Sequence, residues 1–438
     1  MSWTIAKNDG GGQALSAWGI EAITLTRKSF ETDELVFVVR RPDALADPQF
    51  ATGDTITLND SDGITRFQGT IRTDATLTSS EQEQQTYGAW NAWDDLKTTT
   101  YQQNRRLIRS SDFATLDDHP TTAVVLFRNP VHTSGGWTHW NVKQQIKDAL
   151  DFGIASGLSL AYNLDAVDSV LTPWSECTDI MLAQVLRRCQ ANMLDLVGWW
   201  DYSASPPCLN FLRRPSMETR VIDLTDSTRV SKIDRLRQRN DLVPAGVVFI
   251  FLTSITDPAT GKAYTKIDVS SAGSTSGPGV IINTIDLSTL ENDSSYYTVP
   301  PPGGIRHLAG SYFNTLATPW FDGSIVLKAA ECPLAWHPGM IVTFTHGRPD
   351  WQALGGVIQQ VSEDLLTGLT TLRLGPPAML SAVQFVTLAM QGKILRQDAR
   401  PATGSIASTA DGAVTSALGR QIAQLQTCDG ATINVLTV

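Results

Sequence analysis

The sequence predicts a mainly β protein carrying an α+β insertion, and three observations predict it. The first hundred residues alternate apolar and polar positions in short runs broken by turn residues, the signature of half-buried antiparallel strands. Two stretches near the middle switch to the three-to-four-residue spacing of amphipathic helices. A strand pattern then returns after about residue 216 and repeats a piece of the first hundred residues.

In order along the chain, Ile23-Thr-Leu25 alternates and Leu35-Val-Phe-Val-Val39 is a β-branched run. Gly53-Asp-Thr-Ile-Thr-Leu58 places Ile56 and Leu58 on one face, the Asn59–Gly63 cluster turns the chain, and Thr65–Ile71 returns. Antiparallel runs of this kind point to a small barrel over 1–105.

Residues 106–215 read as an α+β domain. Val142, Ile146, Ala149 and Leu150 share a helical face over 141–151, and Met181, Leu182, Val185, Leu186 and Cys189 do so over 178–192. Trp199, Trp200 and Tyr202 start a strand, Pro206-Pro207 interrupts it, and Leu209–Leu212 resumes.

Residues 216–392 read as a second barrel. Val247–Leu252 is the strongest strand, and the Ser-, Gly-, Thr- and Pro-rich stretch over 265–305 reads as a surface loop or insertion. A helix is expected within 305–321. Strands follow at Ser324–Leu327, Gly339–Phe344 and Val357–Val361, with a hairpin through Leu366–Leu369 into Thr370–Leu374.

The repeat lies here. Gly53-Asp-Thr-Ile-Thr-Leu58 is followed about 16 residues on by Gly69-Thr-Ile71, and Gly339–Phe344 at nearly the same spacing by Gly356-Val-Ile358. Either one chain carries two copies of a unit, or two β-hairpins resemble each other by chance.

Residues 393–438 form an extension: a small-residue linker over Ala399–Ala410, an apolar stripe of Val414, Leu418, Ile422 and Leu425 suited to a short helix or coiled coil, and a strand-like tail, Ala431–Val438, that could complete another chain's sheet.

Length and composition bound the function. At 438 residues the chain is long enough for roughly two to four domains. Charged residues make up 18% and the net charge is -10, which excludes a basic footprint for nucleic acid but suits a wall along which DNA slides. Five cysteines without a Cys-x-x-Cys pair read as reduced, buried thiols. The N-terminus lacks an apolar core of signal-peptide length, and no run reaches the ~18 apolar residues of a membrane span, so synthesis and assembly in the cytoplasm are expected.

Catalytic patterns are missing: no nucleophile elbow, phosphate loop, zinc-protease helix or dinucleotide fingerprint is present. Six histidines include His132 and His139, which could meet across a hairpin, but further ligands at metal spacing are not evident. The doublets Asp94-Asp95, Asp117-Asp118 and Glu363-Asp364 point to opposite faces of a strand and read as solvated. Lys232, Arg235, Arg237 and Arg239, interleaved with Asp234 and Asp241, read as a salt-bridged surface, as do Arg105, Arg106 and Arg109. Twelve tryptophans, among them Trp90, Trp93, Trp137, Trp140, Trp199 and Trp200, allow a glycan platform as well as core packing. The reading is therefore not an enzyme, with no cofactor and no metal.

Three segments resemble bacteriophage tail-tip (baseplate) hub proteins: Pro338–Phe344 running through Gly347–Trp351, Gly356–Asp364 and Thr370–Pro377; Trp199–Ser203 with Pro206-Pro207 and Leu209–Arg214; and Gly53–Ile71. The resemblance spans about residues 15–385. It implies a homotrimer in which each chain gives two tube-like barrel domains, so that three chains match a sixfold tail tube around the DNA exit channel, at the virion tail tip. Implied partners are a distal tail or tail tube protein, a tape-measure protein, and a central fibre or tip protein. Ile56, Leu58, Ile71, Ile341 and Phe344, together with Val414, Leu418, Ile422 and Leu425, are the residues expected to carry structure or assembly. The hub of a contractile injection machine and a glycan-binding or glycan-degrading tail protein are the alternatives.

Overall fold

The computed structural model describes residues 3–40, 49–77, 84–108, 115–130, 138–172, 174–225, 229–256, 259–286, 308–328, 336–352 and 355–376. All of them belong to the first of two units, Met1–Ile394; the second, Leu395–Val438, lies outside the described residues, and with it the 393–438 linker, stripe and tail.

The protein is mainly β, as its pattern requires, and a sheet of 13 strands dominates it. Half of that sheet comes from the first hundred residues. Ile20–Lys28 pairs with Glu34–Arg40, which pairs with Gln84–Trp90, then Thr65–Leu77, Thr55–Asn59 and Thr4–Lys7, all antiparallel. Ile56, Leu58 and Ile71 face inward with Leu25, Phe37 and Phe67, because alternate residues of a strand point to one side.

The other half repeats that course with later strands. Val230–Gln238 pairs with Phe321–Leu327, then come Leu369–Leu374, Gly356–Asp364 and Ile341–Thr345, again antiparallel; Thr219–Asp223 completes the set in parallel. One irregularity in each of two strand pairs coincides too, while Val230–Gln238 has a further one between Asp234 and Arg237 and Thr65–Leu77 one between Thr73 and Thr76. The first strand of each half skips one residue, Glu21 between Ile20 and Ala22 and Ser231 between Val230 and Lys232. Thr65–Leu77 skips Arg72 where Gly356–Asp364 skips Gln359. The hairpins noted in the sequence are closed by the same two hydrogen bonds. Gly53 N–H donates to Ile71 C=O and Ile71 N–H to Asp54 C=O; Gly339 N–H donates to Ile358 C=O and Ile358 N–H to Met340 C=O, each at 2.9 Å. Both opening glycines have positive φ, 95° and 87°, which glycine adopts without a Cβ penalty. Matching bulges in matching strands are not expected of two unrelated hairpins.

The two halves do not form two closed barrels among the described residues, which corrects the expected barrels. Strand Gly356–Asp364 reaches past its own half and pairs with Ile20–Lys28, from Gln360↔Lys28 to Asp364↔Thr24. The outer edge of the first half is thus satisfied by the second half and not by curling on itself, which is the other way to remove a free edge.

The α+β segment lies between the halves in sequence. Helix Val142–Ala155 begins at a capping box, in which Asn141 Oδ1 accepts from Gln144 N–H and Gln144 Oε1 from Asn141 N–H. Its predicted face, Val142, Ile146, Ala149 and Leu150, is fully buried. The second helix runs Leu182–Asn192, starting later than the expected 178, because Ser175–Thr178 is taken as a strand by Ala123–Leu126. A three-stranded sheet, Ala161–Asn163, Cys208–Leu212 and Val197–Asp201, accompanies them.

The largest departure concerns 265–305. Ala263–Gly273 and Val280–Asp286 are strands that flank Gly246–Thr256 on both sides. Their serine- and threonine-containing runs read as loop, yet the central strand Gly246–Thr256 carries the apolar inner face of this sheet. That inner face, Val247, Phe249 and Phe251, is covered by helix Leu308–Ala317 through Leu308, Ala309, Tyr312 and Phe313. Residues 287–307 lie outside the described residues.

Candidate assembly surfaces

The seam between the two halves is built from strand Ile20–Lys28 and the last residues of Gly356–Asp364. Thr26 Oγ1 lies 3.1 Å from Ser362 Oγ across it. Arg27 donates to Glu363 at 2.5 Å, and both side chains are buried. Burial raises the Glu363 carboxyl above its ordinary value, and the Arg27 guanidinium opposes that rise.

Beside the seam, the Lys28–Asp33 turn is tied to the α+β segment. Tyr202 O–H donates to Asp33 at 2.6 Å, Asn91 Nδ2 donates to Tyr202 Oη at 2.9 Å, and Lys28 N–H donates to the other Asp33 oxygen at 2.9 Å. Burial pushes Asp33 up to about 6 despite these bonds. His337, which precedes the second hairpin, stacks on Trp199 at 3.8 Å; burial lowers it to about 4, so it packs as a neutral ring at pH 7.

Among the described residues, Val230–Gln238 and the end of Thr65–Leu77 each keep an open edge. Val230–Gln238 pairs with Phe321–Leu327 on one side and, among the described residues, with no strand on the other. Thr65–Leu77 gives one side to Thr55–Asn59 as far as Thr70 and the other to Gln84–Trp90; beyond Ile71 no described strand continues the first side. These are the places that the seam fills elsewhere in the molecule: Val230–Gln238 stands where Ile20–Lys28 stands, and Thr73–Leu77 where the end of Gly356–Asp364 stands.

Among the described residues, the candidate acidic groups are held in local contacts. Asp94 and Asp95 both pair with Arg72, at 3.3 and 2.5 Å. Glu363 is held in the seam, and Asp364 accepts the N–H groups of Leu366 and Thr367 in the following turn. Asp117, Asp118, Arg105, Arg106, Arg109, His119 and His132 have side chains outside the described residues. His139 stacks on Trp174 at 4.4 Å. Among the described residues no group of three His, Cys, Asp or Glu could hold a metal ion. Cys189 is buried, and Cys177 and Cys208 are half-buried, all as free thiols.

The tryptophans mostly pack inward: Trp93 and Trp200 are buried and Trp199 is covered by His337. Trp90 lines a shallow depression with Lys28, Glu31, Thr32, Glu34 and Lys97. Its two carboxylates are engaged, Glu31 with Arg187 and Lys97, and Glu34 with Trp90 Nε1 at 3.1 Å.

Of the residues expected to carry structure or assembly, Ile56, Leu58 and Ile71 sit fully buried in the core of the first half. Phe344 sits in the core of the second half, and Ile341 packs half-buried against the cluster that contains Val197, Leu316 and Trp320. Val414, Leu418, Ile422 and Leu425 lie outside the described residues. The sequence reading missed the seam residues Thr26, Arg27, Ser362 and Glu363. The one available signal was Glu363, set in a strand with Val361 two positions away on the same face.

No family model matches the chain, and no curated protein matches it by sequence. Solved structures do match. The 43 kDa tail protein of prophage MuSo2 from Shewanella oneidensis is 13% identical, over 86% of this chain and 98% of that one, with a TM-score of 0.50. The chain has the fold of a prophage tail protein. A tail protein from Neisseria meningitidis MC58 is 13% identical over 86% and 97%, with a TM-score of 0.49. A type VI secretion component from E. coli is 9% identical over 85% and 77%, with a TM-score of 0.43. The tail-protein fold agrees with the likeness read in the sequence.

Proposed function

We propose that this chain is a structural, non-enzymatic subunit of a phage tail tip: a hub whose copies, three in number, form a ring that joins a sixfold tail tube to the tip or central fibre. The observation that carries the reading is the duplicated half-sheet. One chain supplies two equivalent units side by side, which is how a threefold ring can meet a sixfold tube. The prophage tail-protein fold supports it. The net charge of -10 suits a passage through which DNA moves without being held. The tube, tape-measure and fibre proteins are the neighbours this position requires, and the domain plan is two tube-like units, 1–105 and 216–392, separated by the α+β segment 106–215.

The test is the solution mass of the purified chain by light scattering over a range of concentrations. The expected particle is about three times the 47.6 kDa chain. A monomer at every concentration would remove the ring.

A further inference from the structure

We propose that the open edge of Val230–Gln238 in one chain pairs antiparallel with the open edge of Thr73–Leu77 in a second copy, in the register of the internal seam. The proposal rests on the ring reading and adds the surface and register by which the copies join.

The register follows from the repeat. Glu34 lies opposite Thr26 and Asp322 opposite Arg237, and these acidic residues hold the same place in the two halves. Arg237 is therefore the counterpart of Thr26. On the other strand, Thr76 lies opposite Thr86 as Ser362 lies opposite Thr371, after Thr73↔Gly88 and Gln360↔Arg373 have set the strands in step. Thr76 is the counterpart of Ser362. Inside the chain Ser362 pairs with Thr26; between chains Thr76 is placed opposite Arg237.

Several observations favour a second copy as the occupant. The two edges complement each other in direction and position, and they do not pair with each other within one chain. Each copy offers one edge and accepts the other, the head-to-tail arrangement that generates rings. Val230–Gln238 also shows how an unpaired edge is kept from indiscriminate pairing: Lys232, Arg235 and Arg237 are exposed, Lys232 lies 3.9 Å from Asp234, and Arg237 lies 3.5 Å from Asp322. Charges on an edge discourage random partners while leaving its backbone groups free for a matched one. The basic stretch seen in the sequence is thereby assigned to an edge between subunits.

The test is a double variant, Thr76→Cys with Arg237→Cys, in the full chain. Residues directly opposed on antiparallel strands come within disulfide range. Mild oxidation is expected to give covalent oligomers on a non-reducing gel that reductant reverses, with the reduced variant keeping the wild-type mass by light scattering. The single variants control for native thiols. Thr76→Cys with Lys232→Cys, four ladder positions off register, is expected not to cross-link, since each position advances a strand by about 3.3 Å. A ring of normal mass that fails to cross-link, or that cross-links equally in the displaced pair, overturns the strand pairing and leaves the ring reading standing. A chain that is monomeric at every concentration removes both.

Discussion

Strand Ile20–Lys28 and strand Val230–Gln238 hold the same place in the two halves, down to a bulge after the first residue, yet among the described residues one is covered on both sides and the other on one. Their sequences differ accordingly. The covered strand buries Ile23, Leu25 and Arg27, and the only charge it buries is neutralised across the seam by Glu363. The open strand has no fully buried residue and spreads its charges over the surface. A repeat unit is therefore read most clearly where it is inward-facing, and its edge composition reports what stands beside it. In the first half Asp33 precedes Glu34; in the second, Phe321 precedes the equivalent Asp322. The first half thus buries a carboxyl where the second buries a ring.

The sharpest way to break the seam is to remove one partner of its ion pair. Glu363→Ala leaves the Arg27 guanidinium buried without its carboxylate, which is expected to cost about 3–5 kcal/mol, because an uncompensated buried charge keeps its desolvation penalty. Replacing both, Arg27→Met with Glu363→Leu, is expected to cost far less. Urea unfolding of the wild type, the single and the double variant measures this. A single variant as stable as the wild type would mean that the seam pair is not buried as described.

What the sequence revealed follows from distance along the chain. The hairpins at Gly53–Ile71 and Gly339–Ile358 were legible because a positive-φ glycine, a turn cluster and alternating residues all lie within twenty positions. The helix face of Val142, Ile146, Ala149 and Leu150 was legible for the same reason. The seam was not, since Thr26 and Ser362 are 336 positions apart and neither residue type announces a partner. Strands Ala263–Gly273 and Val280–Asp286 were hidden because apolarity and burial do not coincide there: Ser270 is buried while Ile267, Val269 and Ile282 are exposed. Closed barrels were expected because periodicity reports which face of a strand is buried and not which edge is paired.

The buried carboxyl of Asp33 gives the first half a pH signature at a place where the second half holds Phe321. Asp33 is raised to about 6 by burial, whereas an unfolded chain has an aspartate near its ordinary ~3.9. The folded state therefore holds the proton more tightly. Stability from this group is fully present below about pH 4 and is lost as pH rises through about 6, an effect of about 2–3 kcal/mol. Asp33→Asn is expected to remove that loss, so the stability difference between variant and wild type should grow in favour of the variant between pH 4 and pH 7. Parallel curves over this range would show that Asp33 titrates normally.

The smallest contrast lies at the two equivalent glycines. Gly53 has φ +95 with nothing within 4 Å of a Cβ placed there, so Gly53→Ala meets backbone strain alone, about 1–2 kcal/mol. Gly339 has φ +87, and a Cβ there would lie 3.2 Å from Val197 Cγ1 and 3.4 Å from Leu212 Cδ1, side chains of the α+β segment. Gly339→Ala carries the same strain plus the cost of moving those neighbours and is expected to lower the thermal midpoint further than Gly53→Ala. The first hairpin turns in open space, while the second is pressed against the strands that bear Val197 and Leu212. Equal shifts for the two variants would mean that this packing yields without cost, and that the α+β segment does not fix the second half through its hairpin.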